Sequence, residues 1–304
     1  MPSPINNAMI LQSTRLFFLL TLLIPHLLFA GETPKQTTGP SEFSAKILGG
    51  SESKDGQWPW MAALLQSIEP DTYQAQYCSG VLIAPTWVLT AAHCVEGKNT
   101  GDIEVAVGVF DLKTFAGPRI KTQSIYIHPG YDTFQLSNDI ALIELQQSSA
   151  QPPITLFSGE SQDTVPANLL GITLTALGWG WADLPSWPPY PEKLRQVDLP
   201  VVEESICNNI YHVSLLSSQI CAGYYEGKDV CGGDSGGPVV TRIDGEWVHA
   251  GLVSYGKPCD IYNGWYGVYT RTSEFVNFIQ SHVPGARFTG KAVALPWLLL
   301  LTKP

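Results

Sequence analysis

Apolar residues in this chain come in short, punctuated runs. Residues 60–65, 80–83, 87–90, 103–107 and 140–145 form one series, and 172–177, 237–240, 247–253 and 267–270 form a second. Each run has the length of a strand and is bounded by Gly, Pro, Asn or Asp, which predicts an all-β fold. The composition agrees: Gly 28 and Pro 23 supply turns, and only 14% of residues are charged. With 304 residues, 44% of them hydrophobic, the chain can bury a large core as one big domain or two lobes, which excludes a disordered or fibrous protein. The polar stretch 146–165 between the two series could connect two β lobes. Near the end, Phe275, Val276, Phe278, Ile279 and Val283 follow Ser273 and Glu274, predicting a short capped helix over 273–282.

The two ends of the chain have a different texture. Arg15 precedes the apolar run 16–30, which ends in the small residue Ala30 and reads as a secretory signal peptide. A signal anchor is the alternative, although Pro25 and His26 interrupt a span already short for a bilayer. Either route delivers the chain to an oxidising compartment. Residues 31–46 are polar, rich in Pro, Thr and Ser, and free of cysteine, as a flexible pro-segment would be. At the far end, 292–301 is apolar but too short to cross ~30 Å of hydrocarbon. It fits a removable signal for a lipid (GPI) anchor, with Ser281, Gly285 or Ala286 as attachment points. A tail that packs on the domain or is trimmed is the other reading. The expected organisation is a signal peptide at 1–30, a pro-segment at 31–46, one folded domain at 47–285 and an apolar tail at 286–304.

The six cysteines Cys78, Cys94, Cys207, Cys221, Cys231 and Cys259 are even in number and can all pair, with fifteen connectivities open to them. None has zinc-ligand spacing. A formal net charge of -10 argues against nucleic acid as a partner and mildly favours cationic substrates.

Three local patterns carry chemistry. Residues 90–94 (TAAHC) set His93 after a strand, 138–143 (NDIALI) set Asp139 at the start of one, and 232–238 (GGDSGGP) set Ser235 in a turn dense with glycine. Each alone is a common structural feature, but together and in this order they resemble the trypsin-like (chymotrypsin-type) serine proteases, as does Gly178-Trp179-Gly180. The resemblance runs from Ile47 to about Val283.

That resemblance implies a fold of two packed antiparallel six-stranded β-barrels with a short C-terminal helix. It also implies roles for individual residues. Ser235 would be the nucleophile, His93 its general base and Asp139 the carboxylate that orients the imidazole. The backbone N–H groups of Gly233 and Ser235 would form the oxyanion hole. Asp229 would sit at the floor of the primary pocket, with Ser254, Tyr255, Gly256 and Gly267 around it, selecting Arg or Lys before the cut. Cleavage after Lys46 by an activating protease would free the Ile47 ammonium to pair with Asp234. By the same resemblance the bridges would be Cys78–Cys94, Cys207–Cys221 and Cys231–Cys259. Leu174 and Thr241 stand where many relatives have a further bridge, so both of its ends are lost together. No cofactor or metal is implied, and no acid lies between Leu112 and Ile120, where trypsins bind calcium. Partners would be protein or peptide substrates, the activating protease, protein protease inhibitors and, through the tail, a membrane.

The sequence also departs from the family. The stretch 181–191 is rich in Pro and Trp and predicts a surface loop near the cleft, Tyr255 replaces a common Trp, and Tyr266 replaces a common Pro. The competing function is a catalytically silent binding protein on the same fold. Such relatives usually show a substituted triad, and here all three residues are present.

Overall fold

A computed structural model describes residues 50–160, 165–181, 190–224, 230–257 and 266–290. The expected signal peptide and pro-segment, Lys46, Ile47, Asp229, Cys259 and most of the Pro- and Trp-rich loop lie outside these residues, as does 291–304. The strands are β1 (Ser51–Glu52), β2 (Met61–Gln66), β3 (Gln76–Ala84), β4 (Trp87–Thr90), β5 (Ile103–Val107), β6 (Ile120–Ile127) and β7 (Ala141–Leu145). They continue with β8 (Thr155–Leu156), β9 (Thr173–Gly178), β10 (Arg195–Pro200), β11 (Gln219–Ala222), β12 (Pro238–Ile243), β13 (Glu246–Tyr255) and β14 (Gly267–Arg271). The helices are α1 (Thr72–Ala75), α2 (Glu204–Tyr211) and α3 (Val276–His282).

The first lobe is a closed antiparallel barrel in the order β2-β3-β4-β7-β6-β5. Closure leaves no edge strand, and Leu64, Leu82, Leu89, Val105, Leu142 and Ile143 on its strands are fully buried. Bulges at Leu64/Leu65, Leu82/Ala84 and Thr122/Ser124 give the extra twist that closure needs.

The second lobe is paired in the order β1-β10-β9-β12-β13-β14-β11. Continuous ladders leave this sheet open, and a single bridge completes the ring. Val201, just past β10, pairs with Ala222 of β11, flanked by Val202 N–H to Cys221 O (2.9 Å) and Gly223 N–H to Pro200 O (3.0 Å). The second six-stranded barrel thus closes through one point of contact, with β1 added at its outer edge. Continuing the β12/β9 register by one residue sets Thr241 opposite Leu174, and Thr241 Oγ1 donates to Thr173 O (3.1 Å).

Several sequence expectations change. The connector 146–165 contains β8, which pairs in parallel with β13, a contact no local pattern encodes. The C-terminal helix forms, but Ser273 does not cap it. The chain enters through a 3-10 turn over Thr272–Phe275, and no side-chain cap bond is made at Phe275. Packing decides the entry instead: Phe275, Val276 and Ile279 are buried against the first-lobe core. The expected domain boundary at residue 285 falls inside a packed segment. Phe288 is 5% exposed and bridges Leu156, and Thr289 N–H donates to Leu156 O (2.9 Å).

Two disulfides join Cys78 to Cys94 and Cys207 to Cys221. Cys231 is also disulfide-bonded, and its expected partner Cys259 is outside the described residues. Closing loops of this size stabilises by about 3 kcal/mol each in the chain-entropy model.

One core residue runs against the apolar pattern. His249 in β13 is fully buried, and its ring nitrogens make no hydrogen bond of normal geometry among the described residues, with the Gly251 backbone as the one weak polar neighbour. Burial pushes its pKa from 6.5 down to about 3, opposed only in part by the Gly251 backbone. The folded chain therefore keeps this imidazole neutral while the unfolded chain can protonate it. Its stabilising share is complete above pH 6.5 and is lost as pH falls from 6.5 towards 3. Between pH 6.5 and 4.5 the loss amounts to about 2 kcal/mol. His249→Leu should flatten the acid limb of a Tm-versus-pH curve measured by calorimetry, and an unchanged slope would refute this assignment.

Candidate active site

The acid is placed by backbone strain. Asn138 has φ 51°, a left-handed conformation held by its Nδ2–H to Gly130 O (2.7 Å), and Ile140 N–H closes a tight turn onto Asn138 O (2.9 Å). Asp139 sits at the apex of this turn, fully buried, where β7 is about to begin. A buried carboxylate needs donors, and three reach it. His93 N–H gives 2.9 Å to Oδ1, His93 Nδ1 lies 2.8 Å from Oδ2, and Ser254 Oγ–H donates to Oδ2 at 2.5 Å. Thr270 Oγ1–H holds the Asp139 carbonyl (2.8 Å).

His93 lies on a 3-10 turn over Ala92–Cys94 directly after β4, with Cys94 tied to Cys78 in β3. Its ring is partly exposed, with Nδ1 turned to the acid. Ser254 reaches the same acid because β13 bulges there. Val253 pairs with Tyr269 and Tyr255 with Val268, so Ser254 is the extra residue and its side chain is re-aimed.

Ser235 comes from the other lobe, on the turn before β12. Two contacts press this turn against the first lobe. Ser79 N–H donates to Ser235 O (2.8 Å), and Gly236 lies against Ser79 and Thr90, which are tied to each other by Thr90 Oγ1–H on Ser79 O (2.8 Å). A Cβ on Gly236 would collide with Thr90 Oγ1 and the Ser79 carbonyl, and its φ of 73° also suits only glycine. Among the described residues no hydrogen bond joins Ser235 Oγ to His93 Nε2. Such bonds are commonly long in free enzymes and tighten with substrate bound. Neither Gly233 N–H nor Ser235 N–H is spent on an acceptor among the described residues, leaving two free donors beside the serine.

Asp234 points the opposite way, fully buried, with Gly180 N–H on Oδ1 (2.7 Å) and Cys231 N–H on Oδ2 (2.8 Å). Cβ atoms on Gly178 or Gly180 would strike this carboxylate, which gives the Gly178-Trp179-Gly180 pattern its physical meaning. Burial pushes the Asp234 pKa from 3.8 up to about 6, against the pull of those two amides.

Gly256 is exposed, and a Cβ there would meet only the Tyr211 hydroxyl, at 3.8 Å. Gly267 is buried, and a Cβ there would come within 2.8 Å of the Tyr269 hydroxyl. Tyr255 packs edge-on to Tyr211 (5.5 Å) on the wall of a 510 Å³ cavity that Phe134, Leu136, Val213 and Leu216 complete. Sequence reading named Tyr255 but missed Tyr211, Phe134, Leu136, Val213 and Leu216, which lie in two separate stretches of chain with no shared local pattern. Cys78, His93 and Cys94 cluster closely, but their sulfurs are bonded to each other and offer no thiolate to an ion.

Comparison with known proteins agrees with this geometry. The sequence model of the Trypsin family matches residues 47–279. The chain is 35% identical over 264 residues to tryptase from Mus musculus, covering 81% of this chain and 92% of that protein. A two-lobed β fold that brings His93, Asp139 and the Ser235 turn together, with a family match spanning both lobes, makes this chain a member of the trypsin family of serine proteases.

Proposed function

We propose that the chain is the precursor of an extracellular serine endopeptidase that cuts after Arg or Lys. One observation carries the reading: a hydrogen-bonded Ser254–Asp139–His93 chain faces a serine turn with two unspent backbone donors.

The mechanism builds on those groups. With substrate in place, His93 Nε2 takes the Ser235 proton as Oγ attacks the scissile carbonyl, and a tetrahedral intermediate forms. Its oxyanion is received by the N–H groups of Gly233 and Ser235, each such donor being worth about 10²- to 10³-fold in rate. The imidazolium then gives its proton to the leaving amine, which departs. Water repeats the sequence on the acyl-enzyme and frees Ser235. Asp139 fixes the ring and stabilises its positive form. In this family the loss of that carboxylate costs about 10⁴ in kcat.

Selectivity for cations rests on Asp229 together with the missing side chains of Gly256 and Gly267, which leave room for a long Arg or Lys. The cavity beside Tyr255 would take an apolar side chain further upstream. Secretion rests on the leader-like 16–30 run and the disulfides, and surface anchoring on the terminal apolar stretch.

Activation rests on Asp234. Among the described residues no cation pairs with it, and burial disfavours its ionised form. Cleavage after Lys46 would supply the Ile47 ammonium as that cation and lock the turn carrying Gly233. An activating protease and protein inhibitors are the implied partners.

Cleaved protein should hydrolyse arginyl or lysyl anilides, and Ser235→Ala should reduce the rate by at least about 10⁴-fold. A peptide-library profile preferring apolar residues before the cut would overturn the role of Asp229. No hydrolysis by the cleaved parent would favour the silent-binder reading. The folded pKa of Asp234 lies above its ordinary 3.8, so its protonated form stabilises the uncleaved chain at low pH and this share is lost as pH rises through about 6. Asp234→Asn should therefore remove a fall in Tm of the uncleaved protein between pH 4 and 7 and leave the cleaved form nearly inactive. Full activity after cleavage would refute the pairing.

A further inference from the structure

The turn that presents Gly233 N–H is closed at its base by Asp234 N–H on Cys231 O (3.0 Å) and Cys231 N–H on Asp234 Oδ2 (2.8 Å), but the carbonyls of Gly232 and Gly233 at its tip are held from other segments. The peptide between Gly232 and Gly233 is flanked by two residues without Cβ, so rotating it costs little. Its orientation is set from outside. Trp181 N–H donates to Gly232 O (3.0 Å), and because the peptide is trans, Gly233 N–H points away from Trp181. On the next peptide, Gln76 Nε2–H donates to Gly233 O (3.1 Å) and also to Cys78 O (3.2 Å). Both partners are carbonyls, so only the amide nitrogen of Gln76 can face them. Against Gly233 itself lies the ring of Tyr190, close enough that an added Cβ would meet Cε1 at 3.0 Å. Tyr190 is in turn held by Tyr73 Oη–H on its carbonyl (2.7 Å).

Two of these three restraints start in one short segment of the first lobe. Asp71 caps α1 by accepting Gln74 N–H (2.9 Å), which turns Tyr73 and Gln76 towards the other lobe. We propose that residues 71–76 are a strap across the cleft and that Gln76 is a positioning residue for the reaction. Its carboxamide fixes the Gly233–Asp234 peptide and, through it, the direction in which Gly233 N–H meets the developing oxyanion. This rests on the reading of Gly233 and Ser235 as the oxyanion hole. It assigns to Gln76 a part that no pattern around the triad suggests.

The test uses cleaved enzyme carrying Gln76→Ala or the near-isosteric Gln76→Glu, whose carboxylate cannot donate. With Gly233 N–H loosened, kcat on an arginyl anilide should fall about tenfold while KM stays within about twofold. A peptide aldehyde, whose hemiacetal oxygen enters the hole, should lose affinity by the same factor as kcat. The matching peptide alcohol should bind as it does to the parent. Tyr73→Phe, which loses only the hydroxyl of the strap, should lower kcat about threefold with the same inhibitor pattern. A parent-like kcat in Gln76→Glu overturns the proposal, as does equal loss of aldehyde and alcohol affinity, which would mean general loosening of the cleft. If both Gln76 variants fail to fold, a parent-like Tyr73→Phe overturns it. A loss much smaller than about 10⁴-fold in Ser235→Ala strikes the parent reading instead, so the two failures are distinguishable.

Discussion

The site exists because two barrels touch where one of them has no side chain. Gly236 lets the Ser235 turn rest on Ser79 and Thr90, and any Cβ would push the turn off the strands that lead into His93. The Ser79 N–H to Ser235 O bond then fixes the approach in direction as well as distance. Neither lobe alone holds a base and a nucleophile together. Each contributes a rigid strand end, and the contact converts two local structures into one reacting geometry, which is where much of an enzyme's entropic advantage arises.

Burial of carboxylates divides the labour around that contact. Asp139 and Asp234 are both fully enclosed, but their surroundings differ. Asp139 collects an amide, an imidazole and a hydroxyl, so its negative charge is matched at every turn. Asp234 has two amides and two glycine Cα atoms against it, and a rise in pKa from 3.8 to about 6 corresponds to about 3 kcal/mol against its ionised form. The first acid belongs to a finished arrangement. The second stores unfavourable desolvation that a cation would relieve, and it does so within the turn that carries Ser235.

Much of this was legible in sequence, for physical reasons that also mark the limit. The runs 103–107 and 267–270 lie on β5 and β14, which are buried along nearly their whole length and are therefore mostly apolar. Strands β6 (IKTQSIYI) and β10 (RQVDLP) escaped notice because they alternate between core and solvent and form no continuous run. His93, Asp139 and Ser235 stood out through local patterns, since tight turns and flanking glycines leave a fixed imprint. Gln76 and Tyr73 left none. Their partners lie 157 and 117 residues away, and a glutamine or a tyrosine near a strand has no local cue to its role. The bulge at Ser254 was equally invisible, because it exists only relative to β14.

The strap needs an anchor of its own, and the first lobe supplies one from within. Arg119 spreads its guanidinium over Gln66 O (3.0 Å), Glu69 O (2.7 Å) and Pro70 O (3.0 Å), while Nε–H donates to Glu104 Oε2 (2.9 Å). Three carbonyls and one carboxylate satisfy a planar cation whose side chain is 15% exposed, which offsets the cost of drawing it out of water. The segment gripped is the one that runs directly into Asp71 and α1. A rigid guanidinium beside a barrel strand therefore sets where this segment starts, the Asp71 cap sets its direction, and the Gln76 carboxamide carries that rigidity to the Gly233 carbonyl. The turn that carries Ser235 is thus braced by its own Asp234 N–H to Cys231 O bond and by the opposite barrel through a short chain of hydrogen bonds.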